Sequence, residues 1–145
     1  MRADEHFMRI ALQEAHRALE EGEVPIGAVL VVGPHLLARD HNRTEQLKDP
    51  TAHAEMLCLT AATTHLRSKY LPDATLYVTL EPCPMCAGAL TWAQIGEIVY
   101  AAPDPQRGFS RHTPSLLHPR TRVRRGPFAE EALTLLRHFF QLRRP

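Results

Sequence analysis

Residues 75–89 read TLYVTLEPCPMCAGA, and no other part of the sequence indicates the fold class as clearly. Thr75 to Leu80 is rich in β-branched and aromatic residues, which predicts a buried strand. Pro84 suits the first turn of a helix, so we expect a helix from Pro84 to Gln94 directly after the strand. A further strand is predicted from Glu97 to Ala101. Strands that alternate with helices favour an α/β sandwich with some parallel pairing.

The residues before this stretch extend the same alternation. We predict a helix from Glu5 to Glu21, then a buried strand from Val24 to Val32 with a hairpin partner from Leu36 to Arg39. Asp49-Pro50 resembles a helix start, and we expect that helix to end near Thr64.

The residues after Ala101 are harder to assign. Pro103 to Pro127 contains five prolines and six arginines without a sustained period, which predicts short loops and one strand near Arg122 to Arg125. Ala129 to Leu142 is predicted to be a helix. The apolar residues expected on its buried side are Leu133, Leu136 and Phe140, with Leu135 and Phe139 as further candidates.

Length and composition predict a single domain over residues 1–145, since the chain is 44% apolar and has no linker or repeat. The longest apolar stretch, Val24 to Val32, is shorter than the roughly 20 residues of a membrane-spanning helix. The first residues lack the apolar region of a secretory signal, so we expect a cytoplasmic protein with no membrane association. Three cysteines in such a chain favour free or metal-bound thiols over disulfides.

The charge is unevenly distributed along the chain. Residues 1–100 carry 8 Lys and Arg against 13 Asp and Glu, a balance of −5. Residues 101–145 carry 9 Arg against 3 acids, a balance of +6. Arginine side chains bind phosphates through forked donors, so this excess indicates either a polyanionic partner or a solvated basic face.

Two short motifs carry chemistry: His53-Ala54-Glu55 and Cys83-Pro84-Met85-Cys86. By itself the cysteine pair has three interpretations: a redox pair, half of a structural zinc site, or coincidence. If Pro84 begins a helix, both cysteines lie one turn apart at its N-terminus, where the helix dipole favours thiolates. One histidine and two cysteines leave a fourth position open for water, which is typical of a catalytic zinc site. A redox role leaves the histidine and glutamate unexplained.

Glu55 has a ready role beside such a site. Residues two apart point in nearly opposite directions in a regular helix, so His53 and Glu55 converge only near a helix start. The Asp49-Pro50 signal places them within about the first two turns. Glu55 is then positioned to take a proton from the attacking water without binding the metal.

Together these residues resemble the bacterial tRNA-specific adenosine deaminase family, which converts the anticodon wobble adenosine to inosine. The paired motifs are the signature of zinc nucleobase deaminases. The resemblance is nearly continuous over residues 5–104. Its matching segments are Glu23–Val29, His41–Arg43, Asp49–Glu55, Leu76–Cys83 and Met85–Ala89.

The resemblance implies a cytidine-deaminase-like fold, a three-layer sandwich with a mixed five-stranded sheet flanked by helices, assembled as a homodimer. It implies one Zn²⁺ per subunit held by His53, Cys83 and Cys86, with Glu55 as the proton shuttle. It also implies a tRNA anticodon stem-loop as the partner. The residues it places in contact with the substrate are Asn42, Ala54 through its backbone amide, Leu80, Pro25, Ile26 and Asp104.

Several alternatives remain open at this point. Asn42 follows a predicted strand and is also a good turn residue. The family pattern ends after Asp104, where Gly108 to His112 replaces a small, glycine- and serine-rich stretch, although Arg143-Arg144 still fits the family. A free base or nucleoside deaminase is therefore a rival function. A non-catalytic, zinc-stabilised RNA-binding subunit is a rival of another class, against which Glu55 argues.

Overall fold

The computed structural model describes residues 2–143, which form five α-helices, one 3₁₀ helix and five strands. The helices are α1 (Arg2–Glu20), α2 (Thr44–Leu47), α3 (Ala54–Leu66), α4 (Pro84–Trp92) and α5 (Ala129–Arg143), and a 3₁₀ helix spans Phe109–Arg111. The strands are β1 (Gly27–Val32), β2 (His35–His41), β3 (Ala74–Leu80), β4 (Glu97–Ala102) and β5 (Arg122–Arg125).

The strands form one mixed sheet in the order β2-β1-β3-β4-β5. β1 is antiparallel to β2 and to β3. β3 and β4 are parallel, as are β4 and β5. The predicted mixed five-stranded sheet is confirmed.

Alternate side chains of the strands pack into two separate cores, because successive residues of a strand point to opposite faces. In β1, Val29 and Val31 pack against α1 and α5, whereas Ala28 and Leu30 pack on the opposite face with residues of α3. In β3, Tyr77 belongs to the core with α1 and α5, whereas its neighbours Leu76 and Val78 belong to the core with α3. The molecule therefore has three layers, with helices on both faces of the sheet.

The start of the first strand differs from the prediction. β1 begins at Gly27, not at Val24. The amide of Ile26 donates to the backbone oxygen of Val24 (2.8 Å), a local turn that keeps these residues out of the strand. The buried carboxylate of Glu23 accepts hydrogen bonds from the amides of Glu45 (3.0 Å) and Gln46 (2.7 Å), the second and third residues of α2. This contact between distant residues stabilises α2, a four-residue helix that the sequence did not predict.

The buried side of α5 agrees with the prediction only for its two further candidates, Leu135 and Phe139. Ala132, Leu135 and Phe139 are its buried residues, whereas Leu133 and Leu136 are half-buried and Phe140 is 51% exposed. Both sets have helical spacing, so the periodicity alone did not distinguish them.

Part of the basic excess of residues 101–145 is neutralised within the fold. Arg124 pairs with Asp4 (2.7 Å) and with Glu97 (2.8 Å), and it joins the start of α1 to the sheet. Its hydrogen bonds hold the pKa of Asp4 below the usual value. Arg143 contacts the backbone oxygen of Gly22, while Arg144 lies outside the described residues.

Among residues 2–143, no helix has the length and apolar character needed to cross a membrane.

Candidate active site

The two chemical motifs meet where two helices begin. His53 immediately precedes α3, and Cys83 immediately precedes α4. Pro84 occupies the first turn of α4, as predicted, so Cys83 has an extended backbone and Cys86 lies in the first turn. The N-termini of α3 and α4 therefore bring the histidine and both cysteines together.

The start of α3 at Ala54 corrects the prediction of a start at Asp49-Pro50. The Asp49 side chain accepts hydrogen bonds from the amide (2.8 Å) and hydroxyl (2.7 Å) of Thr51, which forms a local turn ahead of the helix. The first amide of α3, that of Ala54, donates instead to the side-chain oxygen of Asn42 at 2.8 Å. His53 thus has an extended backbone, and Glu55 is the second residue of the helix.

His53, Cys83 and Cys86 form a donor set that fits a zinc ion. Nδ1 of His53 lies 3.6 Å from the Sγ atom of each cysteine, and the three donor atoms lie within 4.8 Å of one another. With Zn–S near 2.3 Å and Zn–N near 2.0 Å, a tetrahedral site places a nitrogen and a sulfur ligand about 3.5 Å apart. The observed separations match this value, and three protein ligands leave one coordination position open.

The electrostatics of the two thiols also favour a cation. A hydrogen bond with Cys86, together with one from His53, lowers the pKa of Cys83 to about 4. The same contact with Cys83, reinforced by burial and by the nearby Glu55, raises the pKa of Cys86. A bound divalent cation stabilises both as thiolates.

Glu55 is a buried carboxyl group beside this donor set, with 5% of the residue exposed. Burial raises its pKa to about 7, against the opposing attraction of His53. A carboxyl group with a pKa near neutrality is well suited to accept and return a proton.

An open cavity of about 620 Å³ leads to these groups. The predicted site residues that line it are Ile26, Asn42, His53, Glu55, Leu80, Cys83 and Asp104. Those that do not line it are Cys86, Ala54 and Pro25, all of which are buried. The residues of α5 that were predicted to be core, Leu133, Leu136 and Phe140, form part of the cavity wall.

Sequence reasoning missed the role of Glu81, a buried residue between Leu80 and the cysteines. Its carboxylate accepts hydrogen bonds from the amides of Asp104 (3.0 Å) and Ser110 (2.9 Å). Glu81 therefore fixes the loop after β4 at the edge of the cavity. Its position in the matching segment Leu76–Cys83 was the only signal, and that segment does not show what the side chain contacts.

Comparisons with known proteins agree with this geometry. Residues 1–102 match the family described as the cytidine and deoxycytidylate deaminase zinc-binding region. The tRNA-specific adenosine deaminase of Aquifex aeolicus is 44% identical, and the match covers 94% of this chain and 93% of that protein. The chloroplastic tRNA(adenine(34)) deaminase of Arabidopsis thaliana is 43% identical over 97% of this chain, which spans only 12% of that longer protein.

A solved structure from a study of A-to-I editing by tRNA:A34 deaminases has a TM-score of 0.84 and 44% identity, with 90% of this chain and 99% of that chain covered. Fold, zinc donor set and sequence thus lead to one assignment. The chain belongs to the tRNA-specific adenosine deaminase family and carries the zinc-binding region of the cytidine and deoxycytidylate deaminases.

Proposed function

We propose that residues 1–145 act as a single zinc-dependent deaminase domain that converts adenosine to inosine at the wobble position of a tRNA anticodon stem-loop. The observation that carries this proposal is the buried Glu55 beside the His53, Cys83 and Cys86 donor set at one cavity. The names of the similar proteins support adenosine in tRNA as the substrate.

Glu55 is the proposed proton carrier. Hydrolytic deamination adds water at C6 of the purine and releases ammonia, so the attacking water must lose a proton. Glu55 accepts that proton and delivers it to ring nitrogen N1. It then takes the proton of the new C6 hydroxyl and passes it to the departing amine, so that the C6–N bond breaks, ammonia leaves and the C6 carbonyl of inosine forms. Zinc held by His53, Cys83 and Cys86 supplies the Lewis acidity that lowers the pKa of water toward about 7.

The remaining residues are proposed to position the base. Asn42, Leu80 and Ile26 line the cavity that contains Glu55. Ala54 acts through its hydrogen bond to Asn42, while the buried Pro25 supports Ile26 from the adjacent position. The base must be unstacked to enter such a cavity, which an anticodon loop already favours.

A parallel substrate assay tests the proposed function. We expect inosine to form at the wobble position of an anticodon stem-loop, with little ammonia released from free adenosine, guanine or cytosine. Inosine is measured by nuclease digestion and mass spectrometry, and ammonia by a coupled assay. Ammonia from a free base with no inosine in the RNA would replace this proposal by the free-base deaminase. RNA binding without turnover of any substrate would indicate a non-catalytic subunit.

We also propose that the chain forms a homodimer through the outer surface of α3 and α4. Trp92 at the end of α4 is 83% exposed. Further exposed large apolar residues are Leu66 at the end of α3, Tyr70 shortly after it and Met85 at the start of α4. Trp92 and Tyr70 line a shallow groove with residues of both helices. Met85 lies between the two cysteines in the sequence and seven residues before Trp92, so the two side chains lie near one face of α4. Exposed aromatic residues are typical anchors of protein interfaces.

Replacing Trp92 by glutamate should therefore weaken the dimer by about 30-fold or more, the effect of losing an interface anchor. Sedimentation velocity across a concentration series measures the dissociation constant. Leu142→Glu is the matched control, because Leu142 is also largely exposed but lies on α5. An unchanged dimer in Trp92→Glu, or a monomeric wild-type chain, would refute this interface.

A further inference from the structure

The loop after β4 forms part of the wall of the cavity that contains Glu55. Asp104, Gln106 and Arg107 line the cavity from this loop. The loop lies in the region where the sequence departs from the family pattern, so its role has to be inferred from its own contacts.

This loop is held firmly at both ends. The Glu81 carboxylate binds the amides of Asp104 and Ser110. Gly108 packs directly against that carboxylate, since a Cβ atom at this position would lie 2.2 Å from Cδ of Glu81. A side chain at this position would force the buried Glu81 carboxylate to shift.

The Asp104 side chain is itself used to shape the loop. Its Oδ1 atom accepts hydrogen bonds from the amides of Gln106 (3.1 Å) and Arg107 (3.0 Å). Its backbone oxygen accepts one from the amide of Gly108 at 2.8 Å. The backbone of Arg107 is therefore fixed, while its side chain is exposed.

The side chain of Arg107 is the free cation of the cavity wall. Among residues 2–143, it is the one arginine or lysine that lines the cavity. Its guanidinium makes no hydrogen bond or ion pair with the described residues. Arg111 by contrast binds the backbone oxygen of Gln106, and Arg124 is held by two carboxylates. A free guanidinium on an ordered loop is a ready donor to a phosphate group.

We propose that Arg107 binds a backbone phosphate of the RNA next to the target nucleotide and thereby favours RNA over free nucleosides as substrate. This inference rests on the proposed function. A nucleotide whose base enters the cavity has its phosphodiesters at the cavity mouth, whereas free adenosine carries none. Arg107 is thus a specificity-determining residue, and it takes no part in moving protons.

Arg107→Ala tests the inference in the full-length protein. We expect the dissociation constant for an anticodon stem-loop to rise about tenfold, the effect of losing one charged hydrogen bond. The slope of log Kd against log salt concentration should fall in magnitude by about 0.7, the value for one phosphate contact on single-stranded nucleic acid. Fluorescence anisotropy measures both, and a merely structural role for Arg107 would not change the salt slope in this way.

Two variants serve as controls. Arg107→Lys keeps the charge and should retain the salt slope while losing part of the affinity. Arg120→Ala removes another exposed arginine that lies outside the cavity lining, and it should leave both quantities unchanged. Equal Kd and equal slope for Arg107→Ala and wild type would overturn the inference even if wild type forms inosine in RNA. A wild-type protein that forms none would instead overturn the proposed function on which the inference rests.

Discussion

Replacing Glu55 by glutamine is expected to lower kcat on the anticodon stem-loop by at least about 10²- to 10⁴-fold, the usual effect of removing a general acid or base. Glutamine keeps the size and the hydrogen-bonding shape of the side chain but cannot take up a proton from water. The loss should lie at the upper end of this range or beyond, because the proposed mechanism uses Glu55 for several successive transfers.

The metal content of this variant distinguishes a proton carrier from a ligand. Glu55 lies outside the three-donor set of His53, Cys83 and Cys86, so Glu55→Gln should retain about one zinc per chain by elemental analysis. Glu20→Gln changes an exposed carboxylate at the end of α1 and should leave both activity and zinc unaltered. Loss of zinc from Glu55→Gln would make Glu55 a ligand, and a near-normal kcat would assign the proton transfers to another group.

The sheet and most of its helices could be predicted because they follow from local patterns. The alternation of strand and helix around residues 75–101 indicates parallel pairing, and β3, α4 and β4 lie where it placed them to within two residues. β5 spans Arg122–Arg125, as predicted. These elements depend on the residue types within them, and little on distant parts of the chain.

The start of α3 could not be predicted because the side chain that accepts its first amide hydrogen bond lies outside the helix-start motif. Asp49 and Pro50 have the residue types of a helix start, but Asp49 bonds to Thr51. Asn42, twelve residues before Ala54, accepts the first helical amide. The expectation that His53 and Glu55 lie near a helix start was nevertheless right, since His53 directly precedes α3. The catalytic and substrate-binding roles of the site residues remain predictions that the variants described here test.

The charge of residues 101–145 could not be interpreted from the sequence alone either, because it depends on pairs between distant residues. The balance of +6 counts Arg124 as a surface charge, but its partner Asp4 lies 120 residues earlier in the chain. Sequence composition does not reveal such pairs. The structure shows which arginines are neutralised by partners and which remain free. Among the residues described, Arg107 is the one free arginine at the cavity.

Replacing Cys86 by serine is expected to remove the zinc and, with it, nearly all activity. Serine keeps the shape of the side chain, but its hydroxyl stays protonated near neutral pH and is a much poorer zinc ligand than a thiolate. Elemental analysis should find far less than one zinc per chain. The melting temperature should fall as well, because the donor set joins the start of α3 to the start of α4 and metal binding is linked to folding.

Cys58→Ala is the matched control, because Cys58 is a buried cysteine outside the donor set that contacts the backbone oxygen of Ala28. This variant should lose about 1 kcal/mol of stability, as is usual for a small change in a core, while keeping its zinc and its activity. A chelator should lower the melting temperature of wild type and of Cys58→Ala but hardly change that of Cys86→Ser, since that variant has little metal to lose. If Cys86→Ser instead retains one zinc per chain and normal turnover, Cys86 is not a ligand and the open coordination position inferred from one histidine and two cysteines has no basis.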